Sequence, residues 1–173
     1  MVNVWQISPW RERYDLWQEF RDAGIIAIGW EMGDLLQYED DVDLQKKTGR
    51  GLNDVGSCWT FSHKIEKDDI VVAKKGSSTQ IYGIGRVLEK YRYDDTRPYY
   101  KHIIRVDWRI KFEKLLKLNV SKEFVQTTVG KLDIGIRQYF HFSSFIGIFR
   151  SVQKVFLSHH HTIEGQTKRS KEE

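Results

Sequence analysis

Several aromatic side chains of this sequence fall where apolar segments end, not inside those segments. Trp5 closes the segment NVW, and Trp30 closes the apolar run GIIAIGW. Core aromatics usually lie within an apolar stripe, whereas aromatics gathered at strand ends can wall a pocket. The flat face of such a ring binds another flat group or a cation. A polar stretch before the segment HIIRVDW adds four tyrosines: Tyr91, Tyr93, Tyr99 and Tyr100.

Basic side chains lie around the tyrosine-rich stretch. The net charge of the chain is +4, a mild excess that permits phosphate contacts without requiring them. In a basic protein, the flat ligand that this combination favours is a nucleobase. Each cation taken alone is more often a solvated surface charge. The candidate phosphate-binding residues are Lys74, Lys75, Arg86, Arg92, Arg97 and Lys101.

The sequence offers little to an enzyme mechanism. The GIGR segment at 83–86 lacks the Lys-Ser/Thr of a phosphate-binding loop, so its glycines are expected to mark close packing or a bulge within a strand. Cys58 lies in the apolar segment SCWTF and is expected to be a buried, inert thiol. The histidines have no metal-ligand spacing. We therefore expect no catalytic residue, no metal site and no cofactor.

Composition indicates one domain with a tail. Hydrophobic residues make up 40% of the chain, which is enough for a core. We expect the domain to cover residues 1–157 and a flexible polar tail or linker to cover residues 158–173, where apolar residues are almost absent. No run is long enough to cross a bilayer, and the single cysteine agrees with a reducing compartment. These observations favour a soluble, cytoplasmic protein.

Periodicity in the first third predicts alternating strands and helices. VNVWQIS is typical of a strand, and Ser8-Pro9 predicts the start of a helix that ends at Gly24. Tyr14, Trp17 and Phe20 would share the core face of that helix. IIAIGW is typical of a buried strand. A loop with a weak helix is expected over 31–51, and a second helix over 53–64.

The remaining segments predict mainly antiparallel strands. DIVVAKK and QIYGIGRVLEKY are typical of a hairpin, and KHIIRVDWRIKF is a further strand in which Trp108 faces the core. A short helix EKLLKL and a final apolar helix FSSFIGIFRSVQKVFL are expected after it. The whole order predicts an α+β fold with a curved mixed sheet or small β-barrel flanked by helices.

Four segments in this order resemble the PUA-like superfamily, and within it the EVE and YTH-like domains, over residues 2–112. VWQISP is similar to the first strand of these domains. GIIAIGW followed by GDL is similar to the second strand with its pocket tryptophan. IEKDDIVVAKKG with IYGIGRV resembles the paired strands before the pocket loop, and YYKHIIRVDW resembles the closing strand. The chain looks most like the N-terminal domain of archaeal McrB-type modification-dependent restriction proteins.

The resemblance implies a DNA-binding reader that flips a modified base into an aromatic cage, with N6-methyladenine favoured and 5-methylcytosine-type bases next. The implied partners are double-stranded DNA carrying that base, an AAA+ GTPase segment of the same full-length protein and a nuclease subunit, without a membrane. The domain itself would not be an enzyme. Trp59 is equally compatible with the core. The implied cage residues are Trp30, Tyr100, Trp59, Tyr93, Ser8 and Asp34.

Three other functions remain open at this point. Some PUA-like relatives resemble small amidohydrolases that act on modified nucleobases, and Lys74 with Asp69 or Glu89 could serve that chemistry. A reader of modified RNA would use the same aromatic residues. The third alternative is a protein-interaction module that binds no nucleic acid.

Overall fold

One long strand, His102–Lys117, lies within the main sheet and pairs with other strands along both of its edges. In the computed structural model the described residues are 2–11, 14–76, 80–117 and 128–132. All described residues belong to one compact unit, which spans Met1–Ile134. The predicted final apolar helix and the predicted tail at 158–173 lie outside the described residues.

The strands form where β-branched and aromatic residues alternate or run together, as expected for pleated, buried backbone. The described part of the chain contains nine strands and three α-helices. The helices are α1 (Trp17–Ala23), α2 (Asp41–Thr48) and α3 (Leu52–Trp59). The strands are β1 (Val4–Ile7), β2 (Trp10–Arg11), β3 (Tyr14–Asp15), β4 (Ile25–Ile28), β5 (Ile70–Lys74), β6 (Gln80–Val87), β7 (Arg92–Tyr93), β8 (His102–Lys117) and β9 (Val129–Lys131).

Seven of these strands form one strongly curled mixed sheet. Its order is β4-β8-β6-β5-β1-β9, and β7 pairs with β8 beside this path. β1 and β5 run parallel, which is possible because α1, α2 and α3 lie between them in the chain. The other pairs are antiparallel. The predicted α+β class with a curved mixed sheet is confirmed.

Glycines in β6 let the sheet curl tightly against its neighbours. A Cβ at Gly83 would lie 2.7 Å from the backbone oxygen of Ile110, and one at Gly85 would lie 2.4 Å from Cγ1 of Val106. The register between β6 and β8 also shifts beside both glycines. The interpretation of GIGR as close packing at a bulge, not a phosphate loop, is therefore confirmed.

The predicted EKLLKL helix is wrong for its described part. Residues 113–117 continue β8 as strand, and Leu116 pairs with Ile81 while Lys117 pairs with Gln80. The helical propensity of Glu, Lys and Leu is only a few tenths of a kcal/mol per residue, roughly, and a ladder of hydrogen bonds to β6 outweighs it. Tertiary pairing decides this segment.

The predicted start of the first helix is also wrong. Trp10–Arg11 and Tyr14–Asp15 form a small separate hairpin, and Tyr14 is 68% exposed instead of facing the core. The helix begins at Trp17, directly after this hairpin, and the Asp15 carboxylate accepts a hydrogen bond from the Trp17 amide at 2.9 Å. Its predicted end at Gly24 is confirmed, because this residue caps the helix with a φ of 62°.

The weak helix predicted within the loop over 31–51 is confirmed as α2. A 3-10 turn covers Leu35–Gln37, and Asp40 caps α2 by accepting from the Asp43 amide at 2.6 Å. The predicted second helix is confirmed as α3, which continues as a π-helical turn over Thr60–Lys64. Cys58 of α3 is fully buried, and this burial raises the pKa of its thiol to about 12.

The core lies between the curled sheet and the helices. Phe20 of α1 is completely buried, and its carbonyl accepts a hydrogen bond from Nε1 of Trp108 at 3.1 Å. Trp108 is 6% exposed, and its ring meets the Trp17 ring edge-on at a centroid distance of 4.8 Å. Trp5 is buried as well, with its Nε1 donating to the Asp69 carboxylate at 2.7 Å. The core assignments of Trp17, Phe20 and Trp108 are confirmed.

Trp108→Ala should destabilise the protein by about 3–5 kcal/mol, because it removes a large buried ring and leaves a cavity beside Trp17. Trp108→Phe is the matched control. It keeps an aromatic ring there but loses the hydrogen bond to Phe20, and should cost clearly less. Urea unfolding followed by circular dichroism measures both. An alanine variant as stable as the phenylalanine variant would contradict the core role of Trp108.

Candidate functional site

A pocket of about 420 Å³ opens where β4 ends and β8 begins. The register of the sheet places it there, because His102 at the start of β8 pairs with Ile28 on one side and with Tyr93 on the other. The chain leaving β4 and the loop entering β8 therefore face each other. The pocket is lined by Gly29, Trp30, Glu31, Gly33, Tyr93, Pro98, Tyr99, Tyr100, Lys101 and His102.

Tyr100 packs directly on the glycine that precedes Trp30. A Cβ at Gly29 would lie 3.1 Å from the Tyr100 ring, a tight contact from which the ring would have to shift by a few tenths of an ångström. The ring also meets the Phe20 ring at a centroid distance of 6.2 Å and the Tyr99 ring at 6.0 Å. Tyr100 has a φ of 52°, a conformation that non-glycine residues rarely adopt. Such strain persists only where surrounding contacts enforce it, and it is frequent in ligand sites.

Arg97 supplies one of those contacts. Its Nη2 lies 2.6 Å from Oε1 of Glu19 on α1, and its Nε donates to the Tyr100 carbonyl at 3.1 Å. Within the loop, the Thr96 hydroxyl donates to Asp94 at 2.6 Å, and this hydrogen bond holds the pKa of the Asp94 carboxyl below its usual range. We call the segment between β7 and β8, which carries Tyr99 and Tyr100, the tyrosine-bearing loop. Hydrogen bonds and an ion pair therefore hold this loop both internally and against α1.

A buried polar chain supports the opposite wall of the pocket. His102 is 1% exposed, and its Nε2 lies 2.7 Å from the Trp30 carbonyl oxygen. Its Nδ1 lies 2.9 Å from the Tyr91 hydroxyl, which also lies 3.1 Å from Oδ1 of Asp34 and accepts from the Leu35 amide at 3.1 Å. We call Trp30, Asp34, Tyr91 and His102 the His102 chain. It connects both ends of the segment that carries Trp30.

Burial dominates the titration of this chain. It lowers the pKa of His102 below its ordinary value of 6.5, against the opposing effects of the Trp30 carbonyl and the Asp34 charge. It raises the pKa of the Tyr91 phenol, and the nearby Asp34 carboxylate acts in the same direction. Around neutral pH, His102 is therefore a neutral imidazole and Tyr91 a phenol.

The structure brings three of the predicted cage residues together. Trp30, Tyr93 and Tyr100 line one pocket. Asp34 lies just behind that wall, where Oδ1 accepts from the Leu36 amide at 3.0 Å and meets Tyr91. Residue 100 therefore lies against the segment that carries Trp30, although 70 positions separate the two in the chain.

Ser8 and Trp59 are not among the residues that line this pocket. The Ser8 amide donates to the Thr128 carbonyl at 3.0 Å, beyond the end of β1. Trp59 ends α3, packs on the core and stacks on His63 with ring centroids 3.6 Å apart. Of the two interpretations of Trp59, its surroundings fit core packing.

Two of the predicted phosphate-binding residues lie at the pocket or next to it, and the others contact different parts of the protein. Lys101 lines the pocket, and Arg92 lies 3.9 Å from Asp94 in the adjoining loop. Arg97 is paired with Glu19 as described, and Arg86 with Asp68 at 2.9 Å. Nζ of Lys75 lies over the Trp10 ring, 5.6 Å from its centroid.

Lys74 lies inside the protein, where a phosphate contact would not be expected. It is 1% exposed, and its Nζ donates to the Gly76 carbonyl. Burial lowers the pKa of its ammonium. Asp69, an acidic partner considered for it, instead accepts from the Asn3 amide at 2.9 Å and from Trp5. These contacts give both residues structural work.

Sequence reasoning missed His102, Tyr91 and Glu31 as parts of the site. Tyr91 was grouped with the loop aromatics, yet it is buried and its hydroxyl accepts a hydrogen bond from the Leu35 amide behind the pocket wall. One signal was available for His102, which is the residue that opens the strand after the tyrosines and begins its buried face. A polar residue at such a position needs a partner, since a buried imidazole is costly otherwise.

Residues 5–133 match the family described as Domain of unknown function (DUF8426), and the chain belongs to that family. Comparisons with curated proteins and with solved structures each found no match. In the described part of the chain, no helix is both long enough and apolar enough to span a membrane.

Tyr91→Phe should destabilise the protein by about 1–3 kcal/mol, because the buried Leu35 amide and His102 Nδ1 would lose their partner. Tyr99→Phe is the matched control, since Tyr99 is 47% exposed and should change stability by less than about 0.5 kcal/mol. Urea unfolding measures both variants. Equal stabilities of the two would show that the Tyr91 hydroxyl is dispensable.

Proposed function

We propose that this chain is a PUA-like domain of the EVE/YTH type that reads a modified base in double-stranded DNA. The observation that carries the proposal is the pocket walled by Trp30, Tyr93 and Tyr100. Its volume lies within the roughly 300–1,000 Å³ of small-molecule sites. Two of these aromatics come from the chain after β4 and the loop before β8, as the resemblance expects. The curled mixed sheet is compatible with this fold type.

Stacking energetics support a base as the ligand. An aromatic side chain contributes about 1–3 kcal/mol to the binding of each stacked base. Flipping a base out of a duplex costs a few kcal/mol, roughly, so one wall would not suffice. Several rings around one cavity, together with phosphate contacts, can offset that cost. A single added methyl group contributes only about 0.8 kcal/mol through its burial, so the discrimination must come from how closely the pocket fits.

The charges around the pocket suit a neutral flat ring with a phosphate outside it. Glu31 and Lys101 line the pocket and carry opposite charges. Lys101 and Arg92 adjoin the tyrosine-bearing loop and would contact the DNA backbone beside the flipped base. Arg97 is committed to Glu19, so its role here is to hold the loop. Glu31 offers an acceptor for an exocyclic amine of the base.

The base that we favour is N6-methyladenine, with 5-methylcytosine-type bases next. The resemblance to McrB-type proteins supports a place in a restriction complex, where an AAA+ GTPase segment and a nuclease subunit would act on the DNA that this domain marks. The domain would be a cytoplasmic binding module without catalysis of its own. The contacts of Lys74 and Asp69 within the protein argue against the amidohydrolase alternative.

Trp30→Ala should abolish the preference for modified DNA while leaving the fold intact, because the ring lines the pocket and is only half-buried. Tyr100→Ala should weaken the preference less, since a phenol offers a smaller stacking face than an indole. Trp59→Ala is the matched control, a half-buried tryptophan away from the pocket wall, and should keep the preference. Fluorescence anisotropy with duplexes that differ in one central base measures these effects.

The same titrations should include methylated RNA, product analysis and thermal melts. Preferential binding of N6-methyladenosine in RNA would replace the DNA proposal with the RNA alternative, and turnover would favour the amidohydrolase. A Trp30→Ala variant that still prefers the modified base, or that melts as early as Trp108→Ala, would remove Trp30 from the pocket. Absence of nucleic-acid binding altogether would leave the interaction module.

Lys101→Ala should weaken binding to all duplexes equally and lower the slope of log K against log salt by about 1, because one phosphate contact is lost. Lys46→Ala is the control, a cation on the exposed side of α2. It should leave the slope unchanged. Anisotropy titrations over a range of salt concentrations give both slopes. Binding that does not respond to salt would contradict the phosphate contact.

A further inference from the structure

The His102 chain allows its hydrogen atoms to be assigned. The Trp30 carbonyl only accepts hydrogen bonds, so Nε2 of His102, 2.7 Å away, must carry a hydrogen. In the neutral imidazole, Nδ1 is then an acceptor. The Tyr91 hydroxyl accepts from the Leu35 amide and has one hydrogen of its own to donate.

When a neutral His102 and the Asp34 carboxylate both contact the Tyr91 hydroxyl, only one hydrogen is present for the two contacts. The Tyr91 hydrogen can go to Nδ1 of His102 at 2.9 Å or to Oδ1 of Asp34 at 3.1 Å. In either arrangement, the remaining contact of the Tyr91 oxygen joins two acceptors with no hydrogen between them. An imidazolium resolves this conflict, because Nδ1–H then donates to Tyr91 and Tyr91 donates to Asp34.

We propose that His102 is a positioning residue of the Trp30 pocket, and that its uptake of a proton locks the segment from Trp30 to Asp34 and strengthens ligand binding. This inference rests on the proposed function for its ligand, but not for its geometry. His102 touches the two ends of that segment, at the Trp30 carbonyl directly and at Asp34 through Tyr91. Between them lie Glu31 and Gly33 of the pocket wall.

The groups that face His102 define what else can titrate nearby. Asp34 approaches from the loop after β4, Tyr91 from the segment before β7, and the Tyr93 ring from β7 at a centroid distance of 5.3 Å. Glu31 and Lys101 line the pocket itself. Burial lowers the pKa of His102 below its ordinary value of 6.5, so the imidazole takes up a proton only in acidic solution.

The sign of the effect follows from linkage. If the ligand prefers the locked segment, its binding raises the pKa of His102, and affinity increases as the pH falls from neutral towards that pKa. The stability of the ligand-free protein changes with pH in the opposite direction. Because the folded state holds His102 less readily protonated than the unfolded state does, its stability decreases as the pH falls below 6.5. Melting curves at each pH separate the two effects.

The test compares the wild-type chain with His102→Gln over mildly acidic to neutral pH. Glutamine keeps an N–H donor for the Trp30 carbonyl but cannot titrate. The probe is a fluorescent duplex with one N6-methyladenine, measured against the unmethylated duplex. We expect the wild-type affinity to rise several-fold towards acidic pH and the variant affinity to stay constant. His63→Gln is the matched control, because His63 also has a burial-lowered pKa but stacks on Trp59.

Nuclear magnetic resonance of the ligand-free protein provides a second measurement. Nitrogen-15 shifts of His102 should show a hydrogen on Nε2 and a bare Nδ1 at neutral pH. The amides of Glu31 and Gly33 should shift with the His102 titration in the wild type and remain still in His102→Gln. A neutral imidazole with its hydrogen on Nδ1, or Glu31 and Gly33 amide shifts that do not follow the His102 titration, would overturn the inference.

The two measurements separate failure of this inference from failure of the proposed function. A wild type that binds no duplex at any pH contradicts base reading, while the amide titration still decides whether His102 positions the wall. A wild type that binds with the same pH profile as His102→Gln leaves base reading intact and overturns the role of His102.

Discussion

The antiparallel pairing of β8 is the constraint on which the rest of the structure depends. Its first residues lie between β4 and β7, and the remainder pairs with β6. Glycines 83 and 85 of β6 permit the close approach that curls the sheet. Because β4 ends, β7 ends and β8 begins at the same height, the segments after and before them must form the walls of one pocket.

The walls of that pocket are stabilised in different ways. The tyrosine-bearing loop is held by Arg97, which joins Glu19 of α1, and by the contact of Tyr100 with buried Phe20. The wall with Trp30 is held by the buried polar contacts of His102 and Tyr91. An apolar wall alone would tolerate displacement, whereas a buried hydrogen bond that is broken leaves an unpaired group. The polar support therefore determines where Trp30 can lie.

Local signals predicted most elements and failed where distant pairing intervened. The apolar run before Trp30, the hairpin of β5 and β6, and the glycine end of α1 follow from composition and turn chemistry. EKLLKL was predicted as a helix because its propensity is local, but pairing with β6 extends β8 through its described part. Lys74 was predicted at the surface, and a carbonyl two residues away satisfies it inside the protein.

By itself, the sequence determined the α+β class, the burial of Trp108 and the position of Trp30 just past a buried strand. These depend on hydrophobic periodicity and on neighbours within a few residues. Only the tertiary structure decided which aromatics share a cavity, because Tyr100 meets Gly29 through sheet register. It also decided that Arg97 serves Glu19 and that His102 supports Trp30, 72 residues away. Contacts at such separations leave no periodic trace, since they depend on how the sheet curls.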